Sequence, residues 1–170
     1  AIAGAADRGR VVAVDVRERR AGLVRGNAER LGLVDRIDAV VADGRRAPFR
    51  GGGFDRVLVD APCSGIGTMR RRPDLRWRAE PGSVAQLARV QRRLLKAAAQ
   101  LVRPGGTLVY SVCTLTRAES TGVDDWLAAN HGDLTPVPAG GGGTGLPPLE
   151  PGWEPWGRGA VLLPQTHGTD

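Results

Sequence analysis

Three short apolar runs, each with an aspartate at or near its end, are the feature of this sequence that most constrains its fold. The runs are 11–16, 37–42 and 56–59, and the aspartates are Asp15, Asp43 and Asp60. Valine-rich runs of this length are typical of strands buried on both faces. Residues 17–31 place apolar side chains on one helical face and end before Gly32, a typical helix-terminating residue. This alternation predicts an α/β fold with a mostly parallel sheet and helices on both faces.

The longest amphipathic segment predicts a helix over residues 84–102, in which apolar side chains recur at helical spacing. Ser83 and Gln86 have the spacing of a capping box, so the helix is expected to begin after Ser83. The Pro-Gly-Gly sequence at 104–106 is expected to end it. The apolar run 107–112 then predicts a fourth strand.

The C-terminal part of the sequence predicts one more helix, a loop and a final strand. Thr116 and Glu119 have the spacing of a second capping box, which predicts a helix that opens there and runs towards Asn130. The glycine- and proline-rich residues 139–148 predict a loop. The apolar run 160–163 predicts the last strand.

Length and cysteine content exclude several classes of protein. A chain of 170 residues suits one compact domain. No run of 18 apolar residues is present, so no membrane partner is expected, and the absence of a secretory pattern at the start of the sequence predicts a cytoplasmic location. Two cysteines are too few for a four-cysteine zinc site or a disulfide framework. His131 and His167 fall in loop-like segments far along the chain, and no metal is expected.

The positive charge of the chain favours a nucleic acid as its partner. Lysine and arginine number 24 against 18 acidic residues, a net charge of +6, and every cationic residue except Lys96 is an arginine. The planar guanidinium group suits phosphate and stacks on bases. A coding bias that replaces lysine with arginine is the alternative explanation. The sequence identifies no protein partner.

The three strand-end aspartates predict a nucleoside-type ligand. In open α/β sheets, ligands bind beyond the carboxyl ends of the strands. Asp15 is placed to accept both hydroxyls of a ribose, Asp43 to lie beside an adenine, and Asp60 to lie near the cationic end of an adenosyl cofactor. The alternative is that each aspartate caps a helix or a turn.

The two cysteines occupy loops that follow predicted strands. Cys63 lies in the segment DAPCSGIG, directly after the third strand, and Cys113 lies in YSVCT, at the end of the fourth. If these strands are neighbours, both thiols open into one cleft. The alternative is that they are buried packing groups, because free cysteine is among the most buried residue types.

These two segments, with RRRPDLRW between them, resemble the RsmB/Sun family of S-adenosylmethionine-dependent RNA cytosine-5 methyltransferases. The resemblance runs from about Arg10 to Asp170, and the bacterial enzymes that act on 16S ribosomal RNA are most similar. It implies a Rossmann-like methyltransferase fold. It also implies methyl transfer from S-adenosylmethionine to carbon 5 of a cytosine in ribosomal RNA, through a covalent cysteine adduct at carbon 6.

The resemblance assigns roles to individual residues. Cys113 matches the nucleophile and Cys63 the cysteine that assists product release. Asp15 matches the ribose-binding acid, Asp43 the acid near the adenine, and Asp60 an acid near the methionine part of the cofactor and the target base. The reverse assignment of the cysteines stays open, because in DNA cytosine-5 methyltransferases the cysteine after a proline is the nucleophile.

The family's glycine-rich cofactor loop, the strand before it and an N-terminal RNA-binding region have no counterpart in the sequence. Residues 1–170 are therefore expected to be a partial catalytic domain, truncated at both ends. A noncatalytic RNA-binding fragment is one alternative. A methyltransferase that acts on another nucleic acid or on a small molecule is another.

An arginine-rich stretch after the first cysteine predicts a contact with RNA. Five arginines fall within residues 70–78, together with a tryptophan. The side chains expected to bind phosphate or stack on bases are Arg70, Arg71, Arg72 and Trp77. The alternative is a solvated loop in a protein rich in arginine.

Overall fold

The computed structural model describes residues 9–78, 80–137 and 153–163, and its strands and helices alternate as predicted in the first part of the chain. The elements in chain order are β1 (Val11–Asp15), α1 (Glu18–Arg30), β2 (Ile37–Val41), β3 (Phe54–Asp60), α2 (Leu75–Arg78), α3 (Pro81–Leu101), β4 (Val102–Ser111), α4 (Thr121–Asn130), β5 (Glu154–Trp156) and β6 (Gly159–Val161). Short 3-10 turns lie at Gly44–Arg46, Ile66–Thr68 and Arg117–Glu119. The predicted loop 139–148 lies outside the described residues.

The first of two compact units comprises the described part of Ala1–Val57 together with Ala97–Thr107. In it, β1 and β2 pair in parallel, with Val11 opposite Ile37. Helix α1 buries Ala21 and Ala28, seven positions apart and therefore on one helical face. Gly32 has a positive φ just beyond the helix, as the sequence predicted.

The second unit comprises Leu58–Lys96 and the described part of Leu108–Asp170, and its core forms where α3 meets α4. Leu95 and Val123 are fully buried at its centre, with Ala88 beside them. The predicted apolar stripe of α3 thus faces the core. The partly buried residues around this centre are Val59, Leu108, Tyr110, Trp126 and Leu127.

The described strands form three two-stranded sheets, β1–β2, β3–β4 and β5–β6. The predicted final strand 160–163 differs from the structure. Gly159–Val161 pairs antiparallel with Glu154–Trp156, a strand that the sequence analysis missed. Gly157 and Arg158 make a two-residue connection, and this local turn brings β5 and β6 together.

The start of α3 corrects the first predicted capping box. The helix begins at Pro81, because proline is well tolerated in the first helical turn, where its missing N–H costs nothing. Ser83 lies inside this turn and its hydroxyl donates to the carbonyl of Glu80 at 2.7 Å. Ser83 is therefore not the residue that opens the helix.

The end of α3 corrects the predicted role of the Pro-Gly-Gly sequence. Strand β4 begins at Val102, directly after the helix, so residues 104–106 lie within the strand. A Cβ atom on Gly106 would lie 2.8 Å from the carbonyl oxygen of Asp55. Glycine at this position therefore allows the close approach of the two backbones.

The second predicted capping box is also wrong. Thr116 makes no side-chain cap bond, and a 3-10 turn over Arg117–Glu119 precedes the helix, which starts at Thr121. The Thr116 hydroxyl instead donates to the Glu119 carboxylate at 2.9 Å. The two side chains satisfy each other, which removes the cap that their spacing predicted.

Candidate active site

The two cysteines lie in contact at the ends of β3 and β4. Their Sγ atoms are 3.3 Å apart. The strands hold them there, because the N–H of Ala61 donates to the carbonyl of Ser111 at 3.0 Å, just before each cysteine loop begins. The condition set by the sequence analysis, that the two strands be neighbours, is satisfied.

The SGIG sequence after Cys63 brings the two cysteine loops together a second time. The N–H of Gly67 donates to the carbonyl of Cys113 at 3.1 Å. A Cβ atom on Gly67 would lie 3.0 Å from that same oxygen, which is tighter than ordinary van der Waals contact. Glycine is therefore the residue that this approach of two backbones requires.

The two thiols differ in their surroundings. Cys63 is half-buried, whereas Cys113 is exposed. Burial raises the pKa of the Cys63 thiol from 9.0 to about 12, and its hydrogen bond with Cys113 adds to the increase. Cys63 therefore holds its proton at neutral pH.

A fully buried carboxylate, that of Glu119, lies beneath the cysteine loops. Its Oε1 atom accepts from the N–H of Ser64 at 2.9 Å, and its Oε2 atom accepts from the Ser64 hydroxyl at 2.6 Å. The hydroxyls of Thr114 and Thr116 lie 3.2 Å and 2.9 Å from Oε2. These hydrogen bonds compensate the cost of burying the carboxylate.

Gln91 and Tyr110 extend this network. The side-chain amide of Gln91, also fully buried, donates to Glu119 Oε1 at 3.2 Å and to the carbonyl of Pro62 at 2.9 Å. The Tyr110 hydroxyl lies 2.6 Å from the carbonyl oxygen of Glu119 and 3.1 Å from Gln91 Oε1. Burial raises the pKa of Tyr110, with smaller contributions from Cys63 and Glu119.

The sequence analysis did not identify Ser64, Gln91 or Glu119 as site residues. One signal was present: Gln91 is polar but falls on the apolar stripe of α3. The spacing of Glu119 from Thr116 predicted half of a capping box instead. Its partner Ser64 is 55 positions away, and no local pattern connects the two residues.

Asp15 and Asp43 lie at one edge of the β1–β2 pair in the first unit. The N–H of Ala42 donates to the carbonyl of Asp15 at 3.1 Å, so the two strand ends are adjacent. The Asp15 side chain is 28% exposed, and its Oδ1 atom accepts from the N–H of Arg17 at 2.8 Å. In this contact Asp15 caps a turn, which is the alternative given in the sequence analysis. Its Oδ2 atom stays available to a ligand and lies 3.8 Å from Nη1 of Arg20.

The Asp43 carboxylate is already bound by Arg45. Oδ1 accepts from the backbone N–H at 2.9 Å, and Oδ2 accepts from Nη2 at 2.6 Å. These hydrogen bonds lower the pKa of Asp43 from 3.8 to about 2. Asp43 therefore caps the turn Gly44–Arg46, and a ligand would have to compete with the Arg45 guanidinium.

The remaining predicted site residues lie on the surface of the second unit. Asp60 is exposed at the end of β3. The Trp77 side chain, on α2, is 82% exposed, as a platform for base stacking must be. The predicted phosphate-binding residues Arg70, Arg71 and Arg72 are exposed as well.

Metal-binding clusters and membrane-spanning helices are both absent from the described residues. No group of three or more histidine, cysteine, aspartate or glutamate side chains among them is arranged to hold a metal ion. In the same part of the chain, every helix is too short or too polar to cross a membrane.

Comparison with known proteins places the chain among methyltransferases. The family model described as 16S rRNA methyltransferase RsmB/F matches residues 2–146. The probable ribosomal RNA small subunit methyltransferase B of Bacillus subtilis is 42% identical over 132 residues, which are 76% of this chain and 29% of the relative. A putative methyltransferase of Mycobacterium tuberculosis is 42% identical over 163 residues, 95% of this chain and 33% of the relative. The chain thus spans about a third of these relatives.

A solved structure is similar as well. The crystal structure of NSun6 from Pyrococcus horikoshii with SFG matches with a TM-score of 0.65 and 34% identity. The match covers 72% of this chain and 31% of that one. The predicted fold class, a Rossmann-like methyltransferase α/β fold, is confirmed by these matches.

Proposed function

This chain belongs to the RsmB/F family of 16S rRNA methyltransferases, and from that membership we propose that it forms part of a catalytic domain that methylates carbon 5 of a cytosine in ribosomal RNA. The observation that carries the proposal is the 3.3 Å contact between Cys63 and Cys113. A pair of thiols in contact at adjoining strand ends suits covalent catalysis on a pyrimidine.

Carbon 5 of cytosine is a poor nucleophile, and thiol chemistry overcomes this. The Sγ atom of Cys113 adds to carbon 6 of the base, and carbon 5 then carries the electron density to attack a methyl group. S-adenosylmethionine, when bound, supplies that methyl group from a positively charged sulfur. A base removes the carbon 5 proton, and the bond between carbon 6 and Cys113 breaks to release the product.

The different surroundings of the thiols support Cys113 as the nucleophile. Cys113 is exposed and can reach a base, whereas Cys63 is half-buried with a pKa raised to about 12. A thiol that stays protonated is a poor nucleophile at neutral pH. The raised pKa therefore argues against the reverse assignment. We assign Cys63 to the release step, for which its position beside Cys113 is suitable.

The aspartates are our candidates for holding the cofactor. Asp15 fits a ribose, because one carboxylate oxygen remains available after the bond to Arg17. Asp43 fits less directly, since binding there has to displace Arg45. Asp60 is exposed and directly precedes the Cys63 loop, and we assign it to the methionine end of the cofactor and the target base.

The substrate is proposed to bind along the arginine-rich stretch. Arg70, Arg71 and Arg72 would contact phosphates, and Trp77 offers an exposed ring for a base. The target cytosine has to leave its stack to reach the thiols, which costs a few kcal/mol unless the base is already unpaired.

Two serine variants of the enzyme that contains this chain test the proposal. Cys113→Ser is expected to abolish methylation. Cys63→Ser is expected to accumulate a covalent adduct between protein and RNA, seen as a slow-migrating band on a denaturing gel. The double variant should form no adduct, and it serves as the control. Normal turnover by Cys63→Ser, or methylation by Cys113→Ser, would show that the assigned roles are wrong.

Calorimetric titration with S-adenosylmethionine separates this proposal from noncatalytic RNA binding. The enzyme that contains this chain should bind the cofactor, and Asp15→Asn should weaken that binding. RNA binding without any cofactor binding would favour the noncatalytic alternative.

A further inference from the structure

Glu119 is a fully buried carboxylate for which the proposed reaction has no use. It ends the 3-10 turn Arg117–Glu119. Burying a carboxylate costs free energy unless hydrogen bonds compensate for the lost contact with water. The residues that supply those hydrogen bonds therefore indicate what Glu119 does.

One set of partners belongs to the loop of the first cysteine. Ser64, the residue directly after Cys63, donates its backbone N–H to Oε1 and its hydroxyl to Oε2. Gln91 binds Oε1 and, with the same amide group, the carbonyl of Pro62, the residue directly before Cys63. Glu119 thus binds this loop on both sides of Cys63, directly through Ser64 and indirectly through Gln91.

The other set belongs to the loop of the second cysteine. Thr114, the residue directly after Cys113, lies with its hydroxyl 3.2 Å from Oε2, and Thr116 donates to the same oxygen at 2.9 Å. The hydroxyls of Ser64 and Thr114 are also 2.9 Å apart. The residue after each cysteine therefore binds the same carboxylate.

We propose that Glu119 is a positioning residue that clamps the two cysteine loops together and so sets the separation of the Cys63 and Cys113 thiols. It does not touch the reacting atoms. Its importance for methyl transfer rests on the function proposed above, but the clamp itself does not depend on that function.

The chemistry of the partners predicts how substitutions differ. The partners of Oε1 are an N–H group and an amide NH2, which can only donate, whereas those of Oε2 are hydroxyls, which can also accept. In Glu119→Gln the amide oxygen can keep the first set, but the new NH2 has only two hydrogens for the three hydroxyls that bind Oε2, so at least one of these hydrogen bonds is lost. Glu119→Ala loses both sets. Glu119→Gln should therefore disturb the cysteine loops less than Glu119→Ala does.

The equilibrium between the dithiol and disulfide forms of Cys63 and Cys113 in glutathione buffers tests whether Glu119 holds the two loops together. It reports the effective concentration of one thiol at the other in the purified chain, with no cofactor or RNA present. We expect Glu119→Ala to lower this effective concentration about tenfold or more, and Glu119→Gln to lower it less.

Val123→Ala is the control for stability alone. Val123 is fully buried in the core, so the variant lowers the melting temperature without removing a hydrogen bond to either loop. It should keep the wild-type effective concentration, as should Asp125→Asn, which removes an exposed carboxylate from α4. If both Glu119 variants also keep the wild-type value, the proposal is overturned. Should Glu119→Ala fail to fold, the value for Glu119→Gln decides, and no decrease there would overturn it.

Kinetics of the active enzyme then separate the clamp from the reaction. Misplaced thiols should lower kcat, by as much as about 100-fold in Glu119→Ala, with a smaller change in KM. If Glu119→Ala lowers the effective concentration of the thiols but Cys113→Ser still methylates, the proposed function is wrong and the positioning role of Glu119 stands. If both Glu119 variants methylate normally and keep the wild-type thiol equilibrium, the positioning role is wrong and the proposed function stands.

Discussion

The Sγ atom of Cys63 lies 3.3 Å from the Sγ atom of Cys113, although the two residues are 50 positions apart. The end of the β3–β4 pair, the approach of Gly67 and the buried carboxylate of Glu119 all contribute to this contact. Each contribution gives a measurable expectation.

The raised pKa of Cys63 predicts selective alkylation. At pH 8 the raised pKa lowers the thiolate fraction of Cys63 in the folded chain far below that of the same thiol in the unfolded chain. Iodoacetamide should therefore modify the exposed Cys113 first, and the initial rate at Cys63 should keep rising with pH well beyond 9.0. Peptide mass spectrometry measures both rates. In urea, the two cysteines should react alike, and faster reaction of Cys63 in the folded chain at pH 8 would contradict the assignment.

Removal of the Tyr110 hydroxyl should destabilise the protein. Tyr110→Phe loses the bond to the carbonyl of Glu119 and leaves Gln91 Oε1 without this donor, at a cost of about 1–3 kcal/mol. Chemical unfolding in urea at pH 8 measures the difference in the free energy of unfolding. An unchanged value would show that water replaces the hydroxyl.

The same variant has a pH signature. The pKa of Tyr110 is raised in the folded state, so the unfolded chain loses this proton first. The stability that the hydroxyl contributes is complete below pH 10.0 and declines as the pH rises towards the folded pKa. The gap between wild type and Tyr110→Phe should therefore narrow as the pH rises above about 10. Tyr110 is the only tyrosine, so the comparison isolates one group, and a constant gap would refute the effect.

Gly67→Ala should separate the cysteine loops. Its Cβ atom would lie 3.0 Å from the carbonyl oxygen of Cys113, and the backbone has to move to relieve the contact. We expect a lower melting temperature and slower disulfide formation between Cys63 and Cys113. Gly82→Ala is the matched control, because nothing lies within 4 Å of its Cβ position and alanine favours the helix. Equal behaviour of the two variants would argue against a close approach at Gly67.

The arginine-rich stretch should control the salt dependence of RNA binding. Replacement of Arg70, Arg71 and Arg72 by alanine should flatten the plot of log affinity against log salt, by about 0.7–0.9 for each phosphate that the variant no longer binds. Filter binding at several salt concentrations gives the slope.

The control for this variant removes the same charge elsewhere. Arg89, Arg93 and Lys96 are exposed on α3, and their triple alanine variant changes the net charge by the same amount. It should leave the slope nearly unchanged. Equal slopes for the two triple variants would mean that net charge alone, and not phosphate binding at the arginine-rich stretch, determines affinity.

The sequence by itself determined most of the helices and strands and pointed to the two cysteines. Valine-rich runs located β1, β2 and β3 to within two residues, because β-branched side chains favour strands. The predicted burial on both faces is not observed, since Val14, Val41 and Leu58 are exposed. The spacing of apolar residues likewise located most of α3. The cysteine motifs placed each thiol in a loop after a predicted strand, and the β3–β4 pairing in the structure supplied the condition that the two strands be neighbours.

Only the tertiary structure decided how these pieces are used. Capping boxes at Ser83 and Thr116 are local patterns, and competing contacts overrode both. The role of Glu119 depends on Ser64, which is 55 positions away, and on Gln91, which is 28 away. Hydrogen bonds between distant residues leave no periodic trace in a sequence, because they depend on where the folded backbone places each side chain.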